Sequence, residues 1–132
     1  MKSKKKRPLR RPNAEALDAL MNEWPDSWAG LEEDKAPGRR LLAELRPFIT
    51  YLIGEGLSAK TVRRHLDYLW AIGGEVVRRF NHEPELRHAP ARQLLLDAVE
   101  MGEAPLLPHA TEAEQCAADT TARKLLKFLL AT

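Results

Sequence analysis

Two apolar stripes of helical period, joined by a four-residue punctuation mark, constrain this chain more than any other feature. Leu41, Leu45, Phe48, Ile49 and Leu52 recur at helical spacing, and the same spacing resumes at Val62, Leu66 and Leu69. Between them stands "EGLS", residues 55 to 58. Gly56 suits the left-handed position that ends a helix, with Leu57 folding back on Leu52. Ser58 suits the N-cap of the next helix, where its hydroxyl accepts from a free backbone N–H. At about 100° per residue, Val62, Leu66 and Leu69 fall within about 40° of one another and face one core. Two helices meeting at Gly56–Ser58 and burying their stripes together are therefore expected.

The remainder of the chain reads as helices around that pair. Asn13 is an N-cap candidate ahead of Leu17, Leu20, Met21 and Trp24, a run that Pro25 is expected to stop. Residues 25 to 38 read as a loop with a short helical turn, anchored by Trp28. Pro47 interrupts the first long stripe at a cost of about 3 kcal/mol, so a kink or break is expected there. The second stripe continues through Ile72, Val76 and Phe80 past Gly73 and Gly74. Two interior glycines cost about 2 kcal/mol relative to alanine, which predicts a bend or break. Residues 81 to 90 carry two prolines and read as a loop. A shorter helix follows at about 91 to 101 with Leu94, Leu95, Ala98 and Val99 inward and Gly102 as its stop. Thr111 and Glu114 form a capping box for a last helix to about Ala131, which turns Ala117, Leu125, Phe128 and Leu129 inward. No segment alternates like a strand. With 132 residues, 44% of them hydrophobic, the chain is large enough for one real core. The expectation is an all-α fold: a single compact bundle of five or six helices over residues 13 to 132, preceded by a basic arm at 1 to 12.

A net charge of +2 conceals strong segregation. Residues 1 to 12, "MKSKKKRPLRRP", carry seven cations and no acid; residues 13 to 38 hold seven acids and one lysine. Residues 39 to 92 return to ten cations against six acids, and residues 93 to 132 hold three against six. Such an arm is either a solvated tail, a segment drawn to phosphate, or one that lies against the chain's own acids.

Motifs that carry chemistry are missing. No phosphate-cradling glycine loop, zinc-spaced cysteine pair or nucleophile motif occurs. His65, His82, His88 and His109 are scattered, and His82 with His88 lacks a third ligand. Glu32, Glu33 and Asp34 read as a solvated acidic corner, and no general acid is paired with a base. Cys116 is the only cysteine and reads as a small core residue. The sequence thus points to no enzyme, no cofactor and no metal. It has no apolar run near the roughly 18 residues of a membrane span and no apolar stretch of a secretory signal. No membrane role is expected, and the cytosol is the expected compartment. The three tryptophans read as packing residues, with Trp70 set beside its stripe and partly exposed.

Function turns on the face opposite Val62, Leu66 and Leu69. Lys60, Arg63 and Arg64 lie in the first two turns of that helix, where the positive end of the helix dipole adds to their field. Together with the hydroxyls of Ser58 and Thr61 they make a set suited to phosphate. The plain alternative is a charged outer face of a bundle helix.

The stretch "FITYLIGEGLSAKTVRRHLDYL", residues 48 to 69, resembles the start of the SAM-like core-binding domain of phage integrases and other tyrosine recombinases. Tyr51 and Leu52, the Gly56–Leu57–Ser58 corner, Lys60–Thr61–Val62 and the leucines at 66 and 69 carry the likeness. It covers that segment alone and includes no catalytic domain. The resemblance implies a small helical domain that clamps double-stranded DNA through its backbone, with Ser58, Lys60, Thr61 and Arg64 toward the phosphates. Over its whole length the chain is also similar to small uncharacterised bacterial proteins, which implies no function. Two readings follow. One is a non-catalytic DNA-binding module, accessory to recombination or to a mobile element, with the arm adding affinity. The other is a helical adaptor without a nucleic-acid role, whose apolar C-terminal helix docks a protein partner.

Overall fold

The computed structural model describes residues 11–132; the basic arm lies outside it except for Arg11 and Pro12. Asn13 caps the first helix, α1 (Ala14–Met21), its side chain accepting from the Ala16 N–H at 3.1 Å. The chain then turns, and Pro25 begins a helix instead of ending one. It sits in the first turn of α2 (Trp24–Trp28), where a missing N–H forfeits no helical bond. A short 3-10 turn, Glu32–Asp34, leads into α3 (Lys35–Gly54), whose first turn contains Pro37 and Gly38. Residues 25 to 38 are thus mostly helical, and the expected loop shrinks to a few residues around Ala29–Leu31.

Pro47 does not break α3, which runs through it. Pro47 is exposed, and so is Ala43, whose carbonyl loses its helical partner, so that group stays near water. Leu45, Phe48 and Ile49 around it are buried and hold the helix in place. The corner after α3 follows the sequence closely. Gly56 has a φ of +79°, Leu57 packs partly buried against the core, and Ser58 caps α4 (Ala59–Arg78).

α4 also runs unbroken, straight past Gly73 and Gly74. The glycines serve packing. Trp28 lies on them so closely that a Cβ at residue 73 would sit 2.3 Å from the indole Cζ2. The same indole donates its Nε1–H to the Trp70 carbonyl at 2.8 Å. Short 3-10 turns at Arg79–Asn81 and Pro84–His88 replace the loop expected at 81 to 90. Then come α5 (Ala91–Val99) and α6 (Glu112–Ala131), the latter opened by the Thr111–Glu114 capping box.

The result is an all-α bundle of six helices, with no strand among the described residues. α3 and α4 each touch α2, α5, α6 and one another, so the two stripes form the centre. Val62, Leu66, Leu69, Ile72, Val76 and Phe80 are all buried, as are Leu41, Leu45, Phe48, Ile49 and Leu52. α6 is rotated slightly from expectation. It buries Ala118, Thr121, Ala122, Leu125 and Leu129, leaving Ala117 and Phe128 half-buried. Cys116, expected in the core, is exposed on that helix.

The acidic corner also departs from its reading. Glu32 and Glu33 are exposed, but Asp34 is only 2% accessible. Its Oδ1 accepts from Arg87 Nε at 2.7 Å, and its Oδ2 accepts from the Gly30 and Leu31 amides at 2.9 Å each. Arg87 lies over the Phe80 ring, and its carbonyl accepts from Arg40. Asp34 and Arg87 thereby pin the α2–α3 connection to the turn before α5.

Candidate nucleic-acid interface

The entry to α4 is built by its cap. Ser58 Oγ accepts from the Thr61 N–H at 3.2 Å and donates to Thr61 Oγ1 at 3.1 Å. The amides of Ala59 and Lys60 stand at the open end of the helix, where the macrodipole is positive. Both hydroxyls named from the sequence are here. Ser58 spends its own on the corner, and Thr61 is half-buried beside it.

The three cations divide. Lys60 and Arg64 are exposed, four residues apart on one face. Arg63 turns aside and pairs with Asp67 at 3.2 Å, next to Leu20 and Glu23 of the α1–α2 end. Exposed pairs of this kind contribute only about 0.3–0.5 kcal/mol, so Asp67 is a weak anchor, but it offsets the charge of Arg63 there.

A contact between α4 and α6 brings in a cation from elsewhere in the chain. His65, 9% exposed, shares a hydrogen bond of 2.8 Å with Thr121 Oγ1 of α6. Burial pushes the His65 pKa down, and the charges of Lys124 and Arg64 push it further the same way. Lys124 lies one helical turn beyond Thr121 on α6, and its charge acts on the His65 ring together with that of Arg64. Sequence reading missed it because Lys124 is 60 residues from Arg64 and belongs to a segment with net negative charge.

Most other cations are occupied. Arg46 pairs with Asp18 and donates to Asn22. Arg78 pairs with Glu75, Arg79 with Glu83, and Arg87 with the buried Asp34. Arg92 and Arg123 donate to the carbonyls of Leu129 and Gly102. Lys60, Arg64, Lys124 and Lys127 make no ion pair or side-chain hydrogen bond among the described residues, and the last two are a turn apart on α6. Arg78 lies about 21 Å along α4 from Arg64 at 1.5 Å per residue, so it belongs to a different part of the surface.

His82 and His88 are both exposed, and no group of three His, Cys, Asp or Glu side chains among the described residues is placed to hold a metal. No described helix is long and apolar enough to cross a membrane. No protein-family model, curated protein or solved structure matches this chain.

Proposed function

We propose that the protein is a non-catalytic DNA-binding module that grips the duplex backbone, accessory to recombination or a mobile element. The observation that carries this reading is the cluster of Lys60, Arg64 and Lys124, cations with no partner among the described residues, at the positive end of α4. Charges held apart from any carboxylate are available to phosphate without first breaking an ion pair. The likeness of residues 48 to 69 to integrase core-binding domains points the same way, and so does the arm, with seven cations in residues 1 to 12.

Backbone binding makes a specific forecast, because each phosphate neutralised releases counterions. The full chain is expected to bind labelled duplexes of unrelated sequence with similar affinity. That affinity should fall linearly on a log–log plot against salt, with a slope of about −0.9 for each phosphate neutralised. Fluorescence anisotropy from low to physiological salt reads both. Failure to bind any duplex even at low salt removes the proposal.

A helical adaptor would then take its place, and one observation favours that reading. Trp70 is 45% exposed beside a groove of about 650 Å³, an arrangement suited to a protein segment. The adaptor's surface would be this groove, since the apolar row of α6 is used in the core.

A further inference from the structure

We propose that the groove beside Trp70 is the docking site for the part of the chain's own basic arm that precedes Arg11, residues 1–10. The inference goes beyond the DNA reading and stands without it. Trp28, Trp70, Ala71 and Gly74 line the groove together with the Leu107–Pro108 loop. Asp67, Glu75 and Glu114 also line it, with Arg78 as its only described arginine or lysine. A second hollow of about 240 Å³ adjoins it, shares Ser27, Asp67 and Trp70, and adds Glu23 and Arg63. Taken together, the two hollows hold four carboxylates, of which Asp67 pairs with Arg63 and Glu75 with Arg78, so that Glu23 and Glu114 carry the excess negative charge on apolar and aromatic walls.

A ligand for such a surface carries several cations and small apolar groups on an extended backbone. "KKKRPLR", residues 4 to 10, has that chemistry. Prolines bias the residues before them toward extended conformations, and aromatic-lined grooves take up such segments at low entropic cost. Its lysines match the carboxylates that line the two hollows.

Reach agrees with chemistry. The described chain starts at Arg11, three residues before α1, and the second hollow is lined by Leu20, in the last turn of α1, and Glu23 just past its end. The helical part of that path, Ala14 to Leu20, is about 9 Å at 1.5 Å per residue, and the three steps from Arg11 to Ala14 add at most about 10 Å. At about 3.3 Å per extended residue, five or six residues before Arg11 cover the path and bring Lys6 or Lys5 to the second hollow. The four or five residues before those extend about 13–16 Å more, into the groove beside Trp70.

The test uses the full chain with Ser3→Cys as the attachment point for a spin label and Cys116→Ser to remove the exposed native thiol. At low salt the Trp70 indole N–H and the Ala71 and Gly74 amides should lose most of their NMR intensity. The intensity should return at about 1 M salt, where the screening length falls to about 3 Å. It should also return in the E75Q/E114Q variant, in which glutamine at 114 preserves the capping box. Broadening centred instead on the Glu15–Asp18 face of α1, or spread evenly over the surface, overturns the proposal. So does groove broadening that neither salt nor the double variant relieves, because the docking would then not depend on the complementary charge.

Discussion

His65 is surrounded on the side that matters for its charge. Thr121 binds its ring, while burial opposes its protonation and Lys124 and Arg64 add to that opposition. The folded-state pKa therefore lies below the ordinary value of about 6.5. The unfolded chain takes up the proton first on acidification, so stability is full above about pH 6.5 and declines as pH falls toward the folded value. His65→Gln keeps a hydrogen-bonding group for Thr121 and cannot titrate. Melting temperatures measured from about pH 8 to about pH 5 should fall more steeply for the wild type than for this variant. Parallel curves would mean that His65 is not held neutral. Asp34 behaves in the opposite sense. Burial alone would push its carboxyl up, but Arg87 and the Leu31 and Gly30 amides outweigh burial and leave the pKa below the usual range. Its contribution is thus present above about pH 4 and lost only in stronger acid, outside the histidine window.

The helices owe their continuity to packing between elements, which local preference does not report. Gly73 and Gly74 show this most directly. An isolated helix gains about 1 kcal/mol from each glycine replaced by alanine. At residue 73 the new Cβ would collide with the Trp28 ring, and overpacking of that kind costs about 1–3 kcal/mol. At residue 74 the nearest atom is 3.4 Å away, an ordinary separation. Gly73→Ala should lower the melting temperature by several degrees, whereas Gly74→Ala should be neutral or slightly stabilising. Equal effects would mean that Trp28 is not seated as described. The same distinction explains what the sequence disclosed. Caps at Asn13, Ser58 and Thr111, the left-handed Gly56 and the two central stripes depend on near neighbours or on period, and all were legible. The passage of α3 through Pro47 and α4 through Gly73–Gly74 was not, because it depends on partners far along the chain. Asp34 looked solvated for the same reason, its partner Arg87 being 53 residues away. At the candidate site, Lys60 and Arg64 were legible as an exposed pair. The diversion of Arg63 to Asp67 and the arrival of Lys124 were not.

At the scale of the molecule, charge that looks balanced in total is sorted into regions. The acids near Trp70 face one hollow surface, while Lys60, Arg64 and Lys124 gather where α4 begins and α6 passes. Arginines elsewhere hold the bundle together through Asp18, Asp34, Leu129 and Gly102. The cations proposed to bind phosphate are therefore separable from those that stabilise the fold. The most direct test is the combined variant Lys60→Ala, Arg64→Ala, Lys124→Ala, all three being exposed residues. It should melt close to the wild type and bind unrelated duplexes more weakly by the same factor, since backbone phosphates carry no base information. The slope of log K against log salt should become shallower by about 0.9 for each phosphate that is no longer neutralised, up to about 2.7 for three. A triple variant that binds duplex with the wild-type affinity and the wild-type slope would contradict the assignment of this face to DNA.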